Sequence, residues 1–239
     1  MVCMNIDLSR NGDGIKVSAH ILFEKPFAGE FSFLLSQTMK IESISDIMGE
    51  YKFGVYDAKE PFRKADKIFL TIPYEVSEIW IKYSGHPSGW HTSVTGSIFA
   101  VNYYSAWYPD DISAGCRDVC VKFHDSYYTH MVHAKRNTVE NVWEYKPKDF
   151  DCNILAYKNA KLIQSDMLEL LYLGDNDEET KAYQEVYTAA VNFCLNLFGR
   201  NPVSKCTLAI LPSGNARDGY CREGLIRPLA KLSHRIFFA

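Results

Sequence analysis

The chain has 239 residues, of which 47% are hydrophobic and 23% charged, and a formal net charge of −3. That hydrophobic share builds a real core and excludes a disordered chain. The balance of 26 basic against 29 acidic residues, with no long run of either sign, excludes nucleic acid and anionic membrane as partners. No segment approaches about 18 uninterrupted apolar residues, so no transmembrane helix is expected. The start, MVCMNIDLSRNGDG, lacks the basic and apolar regions of a signal peptide. Seven cysteines at positions 3, 116, 120, 152, 194, 206 and 221 form no C-x-x-C pair, and their number is odd. They read as reduced thiols of a cytoplasmic protein.

Gly12-Asp13-Gly14 marks a hairpin turn rather than a phosphate loop, because no strand–Gly–helix context follows. Ile15 to Phe23 alternates with Val17, Ala19 and Ile21 on one face, and Glu30 to Leu35 follows a turn at Pro26/Gly29. Lys67 to Ile72 and Glu78 to Tyr83 are two short strands rich in β-branched and aromatic residues, and Gly85 to Gly89 is a turn or loop. Val119 to Phe123 and Asn153 to Tyr157 are further strands. Short strands broken by Gly, Pro, Asp and Asn predict a β-sandwich over residues 1–163. The pattern then changes, which puts a domain boundary near 160–166 and a second domain at 164–239. Met167 to Leu173 predicts a strand that Gly174 to Asp177 ends at once. Glu178 to Phe198 predicts a helix, with Val186, Ala189, Ala190, Phe193 and Leu197 at helical spacing and Gly199 as its stop. Strands at Thr207 to Leu211 and Gly224 to Arg227 precede a last helix beginning after Pro228. The order strand, helix, strand, strand, helix is a mixed α/β layout. The last helix halts at Phe237-Phe238-Ala239 without Gly, Asn or a polar cap, so it reads as cut and the chain as the front part of a larger protein. Exposed Leu232, Ile236 and Phe237 on it predict self-association.

Four segments in order carry a resemblance. Ile79-Trp80-Ile81-Lys82-Tyr83-Ser84-Gly85 is similar to a "hydrophobic-x-hydrophobic-x-Tyr-x-Gly" strand end, and Ala106-Trp107-Tyr108-Pro109 to a "W-[FY]-P" turn. Phe193 to Pro202 (FCLNLFGRNP) is similar to a helix end, and Leu208 to Pro212 with Gly219 to Ile226 (GYCREGLI) to a strand and edge. Together they resemble the front part of an aminopeptidase N-type zinc metallopeptidase, a gluzincin, over residues 15–239. The resemblance implies an N-terminal β-sandwich followed by an incomplete thermolysin-like α/β catalytic domain. It implies zinc and a peptide or protein substrate in the complete parent. It also implies a substrate-binding edge strand within Pro212 to Arg227, with Gly214, Asn215, Asp218, Gly219, Tyr220 and Arg222 as its candidate residues.

The departures define what this chain lacks. Family catalysis needs HExxH on a helix, where two His one turn apart hold zinc and the Glu acts on the metal-bound water. The sequence has no HExxH; after His234 come Arg235 and, one turn on, Phe238. This chain is therefore expected to hold no cofactor, to have no catalytic residues and to be inactive alone. The family's GxMEN segment, whose Glu holds the substrate's amino terminus, corresponds to Gly214-Asn215-Ala216-Arg217-Asp218. Arg217 would repel an ammonium group, so aminopeptidase specificity is not implied even for the parent.

Other candidates have plainer readings. His124, His130 and His133 with Asp125 would make a metal cluster, but His130 and His133 face opposite ways in a strand, which favours simple polar positions. His86 and His91 read as loop residues, and Cys116 and Cys120 as free thiols. Tyr103, Tyr104, Trp107 and Tyr108 could line a glycan groove, although a sandwich core or a domain join suits them better. Two alternatives to the peptidase reading stay open here: a non-catalytic protein-interaction module and a glycan-binding sandwich.

Overall fold

The computed structural model describes residues 1–147, 152–165, 168–173, 177–199, 206–209, 220–222 and 225–227. The chain divides into two compact units, Met1–Lys158 and Asn159–Ala239. The division falls just before a strand at 161–164, which joins the second unit's sheet.

In the first unit the chain starts with five strands: β1 (Val2–Asn11), β2 (Gly14–Ser36), β3 (Met39–Ser45), β4 (Phe53–Asp57) and β5 (Ala65–Gly85). Then come β6 (Ser93–Val94), β7 (Ile98–Val101), β8 (Cys116–Phe123), β9 (His130–Met131), β10 (Lys135–Asn137), β11 (Val142–Tyr145) and β12 (Ile154–Tyr157). The larger sheet has the order β10-β11-β8-β1-β2-β5-β3, with β4 also on β5; the smaller has the order β6-β7-β12-β9. β1 pairs antiparallel with β2 but parallel with β8. Strict alternation on β1 puts Val2, Met4, Ile6 and Leu8 inward, and one continuous core joins them to Phe99, Val101, Ile154 and Ala156 of the smaller sheet. The predicted β-sandwich is thus present, and its two sheets are open.

Two predicted strand pairs are single long strands. β2 runs through the expected Pro26/Gly29 turn, and β5 joins the predicted 67–72 and 78–83 segments. The reason lies in their shared irregularity. The register passes from Leu22↔Glu78 through Phe27↔Val76 to Gly29↔Ile72 with a shift at each step, and neither Pro26 nor Pro73 falls in a paired position. A proline that would break a ladder is harmless where the ladder is already interrupted. On β5 the inward set changes there from Ile68, Leu70, Ile72 and Val76 to Ile79, Ile81 and Tyr83. A change of phase of this kind looks like a strand end in sequence. At its far end β5 stops on Gly85, which pairs with Ile15 and Met39 on its two sides. A Cβ there would run into the Thr38 carbonyl, which explains the glycine of the Tyr-x-Gly strand end.

The second unit has β13 (Lys161–Gln164), β14 (Leu168–Tyr172), α1 (Asp177–Phe198), β15 (Cys206–Ala209), β16 (Tyr220–Arg222) and β17 (Leu225–Arg227). Its sheet order is β13-β14-β15-β17-β16. β14, β15 and β17 are parallel, so α1 is the crossover that a parallel pair requires. The helix lies where predicted, but its buried residues differ. Tyr183 and Val191 are buried and Tyr187 is partly buried, at spacings of four; Tyr183 and Tyr187 pack on Leu168, Leu170 and Tyr172. Ala189, Phe193 and Leu197 are exposed. A 22-residue helix is about 33 Å long, whereas a five-residue strand spans about 17 Å. The helix therefore overruns the strand that covers it, and periodicity alone does not tell which stripe is covered. The predicted helix after Pro228, with Leu232, Ile236 and Phe237, lies outside the described residues.

Tyr83 is fully buried and its hydroxyl donates to the Trp107 carbonyl at 3.0 Å. Burial holds its phenol well above the usual tyrosine pKa, and burial likewise pushes Tyr128 up to about 12. In the unfolded chain both ionise near pH ~10. Their contribution is therefore fully present below pH ~10 and is lost as pH climbs towards the folded-state values. Urea unfolding midpoints are expected to fall as pH rises from about 10 towards about 12, and Tyr83→Phe should flatten that fall.

Candidate substrate-binding edge

The resemblance implies a substrate-binding strand within Pro212 to Arg227, and two strands of the second unit's sheet, β16 and β17, fall in that range. β16 pairs antiparallel with β17 through Tyr220↔Arg227, Cys221↔Ile226 and Arg222↔Leu225. It is the last strand in the sheet order, and among the described residues nothing pairs with its other side. An edge strand leaves a row of backbone N–H and C=O groups that an extended peptide can join. Of the six candidate residues, Tyr220 and Arg222 sit on this strand. Gly214, Asn215, Asp218 and Gly219 lie outside the described residues, as does Arg217.

The other resemblance segments fall at structural junctions of the first unit. Ala106 takes a left-handed conformation (φ 43°) after the short turn Tyr103–Ser105. Trp107 follows it into the core, and its indole N–H donates to the Cys152 carbonyl at 2.9 Å. Tyr108 is buried beside it, with the rings inclined at 61°. Tyr103 and Tyr104 meet edge to face at 78°. These four rings therefore form no flat exposed platform, and Trp107 and Tyr108 are core residues.

Sequence reasoning missed the group that anchors this turn. Arg63, only 4% exposed, donates from Nη1 to Asp110 Oδ2 at 2.5 Å, and its guanidinium lies 4.1 Å from the Tyr103 ring centre. Asp110 also exchanges both backbone hydrogen bonds with Leu34, at 2.6 and 3.0 Å. Neither residue stands in a periodic or motif position, so only their distance in space reveals the pair. Asp110 directly after the W-[FY]-P turn was the one available signal.

The histidine cluster is not assembled. His124 Nε2 lies 2.6 Å from Asp7, Asp125 pairs with Arg10 at 3.1 Å, His130 is opposite Tyr157 on β9, and His133 sits in a left-handed turn (φ 57°). Among the described residues no group of three or more His, Cys, Asp or Glu could hold a metal ion. His86 lies in the loop after β5, 3.3 Å from Asp13. His91 is also in a loop, with φ 57°.

Cys3, Cys116, Cys120, Cys152 and Cys194 form no disulfide with one another. Cys120 is exposed and Cys152 is buried, while burial pushes the Cys116 thiol up to about 11, reinforced by Cys3 and Asp110. Because the thiolate is the reactive form, a disulfide reagent at pH 8 is expected to label Cys120 first and Cys116 slowly. Among these five, Cys152 should react only after unfolding. Mass spectrometry of timed samples checks this order.

This arrangement, a sandwich of two open sheets followed by a mixed sheet with an antiparallel edge strand, is similar to the fold of solved structures of the aminopeptidase N type. An aminopeptidase N family protein from Idiomarina loihiensis superposes with a TM-score of 0.69 over 99% of this chain and 44% of its own, at 9% identity. Native leukotriene A4 hydrolase from Saccharomyces cerevisiae superposes with a TM-score of 0.62 over 96% of this chain and 40% of its own, at 8% identity. Yeast LTA4 hydrolase in complex with bestatin gives a TM-score of 0.61 with the same coverage and identity. The chain thus spans about two fifths of the length of these proteins. No protein-family model and no curated protein matches it by sequence. Among the described residues no helix is long and apolar enough to cross a membrane.

Proposed function

We propose that this chain is the front part of a zinc metallopeptidase of the aminopeptidase N type, whose complete form hydrolyses peptide bonds. The observation that carries the reading is the likeness to such proteins over 96–99% of this chain while covering only 40–44% of theirs. The edge strand β16 supports a role in binding extended peptide, with Tyr220 and Arg222 on it and Gly214, Asn215, Asp218 and Gly219 leading into it. Arg217, in place of the family's glutamate, favours specificity other than for a free amino terminus. The chain's own residues do not fit zinc: the sequence has no HExxH, and no metal-holding group occurs among the described residues. On this reading the chain alone is expected to be catalytically silent, because its sequence carries no HExxH, and zinc belongs to the complete parent. Five cysteines that form no disulfide with one another support a reducing, cytoplasmic setting.

The test is the reading frame past codon 239, followed by zinc analysis and peptide cleavage by the full product. An HExxH soon after Ala239, bound zinc and chelator-sensitive cleavage are the expected results. A stop codon, or a continuation without those ligands, overturns the enzyme reading and leaves a non-catalytic interaction module.

A further inference from the structure

The larger sheet of the first unit has an interruption along one side of β5. β3 pairs with residues 80–85 of β5, and β4 pairs with residues 66–70. Among the described residues no strand covers 71–79 on that side. Alternate residues of this stretch therefore present backbone N–H and C=O groups with no ladder partner there. Between β3 and β4 the chain leaves the sheet and turns at Asp46 to Gly49. The Asp46 carboxylate fixes the turn, accepting from Met48 N at 2.7 Å, Gly49 N at 3.0 Å and the Tyr51 hydroxyl at 2.6 Å. Turn and open strand edge enclose a cleft of about 500 Å³, lined by Asp46, Ile47 and Met48 on one side and by residues 74–78 on the other.

The lining states what would fill it. Ile47 is 81% exposed, Met48 74% and Tyr74 42%. Neighbouring apolar side chains this exposed around a cleft mark a contact surface. The charged groups of the lining are Asp46, Glu75 and Glu78, with no Lys or Arg among them. Glu78 pairs with His20 at 2.7 Å, and Glu75 is exposed. Such a surface attracts cations and repels phosphate, which turns away nucleic acids and anionic lipid.

We propose that this interruption is a docking slot for an extended segment of a partner protein with alternating basic and apolar residues. The segment adds as a short strand along 71–79 of β5, its apolar side chains against Ile47, Met48 and Tyr74 and its Lys or Arg facing Glu75 and Glu78. Backbone hydrogen bonds supply affinity in this mode, and alternate side chains supply selection.

The test titrates the full chain with the blocked peptide Lys-Val-Lys-Val-Arg-Val by calorimetry. Its controls are the acidic peptide Glu-Val-Glu-Val-Asp-Val and a basic peptide N-methylated at alternate amides. The basic peptide is expected to bind, and the acidic and N-methylated ones are not. Glu75→Lys should weaken binding about tenfold, a change of about 1.4 kcal/mol, with an unchanged circular dichroism spectrum. Met48→Asp serves as a second variant and should also weaken it. Absence of binding by the basic peptide, equal binding by the acidic one, or indifference to N-methylation each overturns the proposal. A dimer in light scattering that Glu75→Lys dissolves would assign the slot to a second copy and equally overturn it.

Discussion

Trp107→Ala is expected to cost the first unit about 4–8 kcal/mol and so leave much of it unfolded without denaturant. Truncating a buried tryptophan costs about 3–5 kcal/mol through lost burial and the cavity left behind. The substitution also strips the Cys152 carbonyl of the indole N–H that it accepts at 2.9 Å; an orphaned buried acceptor adds about 1–3 kcal/mol. Whole domains have only about 5–15 kcal/mol to lose. Trp107→Phe keeps most of the volume and loses mainly the hydrogen bond, so its cost should be nearer the smaller figure. Urea unfolding followed by far-ultraviolet circular dichroism measures both. A Trp107→Ala loss below 1 kcal/mol would show that the core does not close around this ring.

Arg63→Ala is the second large effect, about 3–5 kcal/mol, because removing one partner of a buried pair leaves the other charge uncompensated. Here the stranded group is Asp110, whose side chain is 19% exposed and whose backbone is held against Leu34. The double variant Arg63→Ala/Asp110→Ala should recover part of that loss. A double-mutant cycle from urea midpoints gives the coupling directly. If the two single losses simply add, the pair contributes nothing beyond its separate contacts.

Much of this architecture was legible in the sequence, for reasons that particular residues make clear. Alternation at Val17, Ala19 and Ile21 declared β2 because one face of that strand is buried and the other is wet. Tyr83, Gly85 and Trp107 were recognisable because each position accepts few residues: a buried hydroxyl with a carbonyl partner, a backbone approach that tolerates no Cβ, and a core slot with an acceptor. The continuity of β2 and β5 was hidden, because a bulge absorbs Pro26 and Pro73 and shifts the inward phase of β5. β1 was hidden even though Val2, Met4, Ile6 and Leu8 are apolar and buried, because Arg10 and the Gly12-Asp13-Gly14 turn follow them at once. The covered stripe of α1 was unreadable because the helix is apolar on more than one side. Of the candidate edge, β17 was legible in Gly224 to Arg227, whereas β16, the Arg63–Asp110 pair and the cleft beside Asp46 emerge only from the folded arrangement.

The parallel pairing of β1 with β8 has a consequence for the order of events at the ribosome. Val2 to Leu8 form the centre of the larger sheet, yet half of their backbone partners are residues 116–123. β1 is thus made well before its parallel neighbour β8. Synthesis runs at about 5–20 residues per second, so the open side of β1 stays unmatched for several seconds. During that interval the nascent β1–β2 hairpin carries a bare row of amides beside Val2, Met4, Ile6 and Leu8. Until β8 is made, that row is open to pairing with a wrong strand.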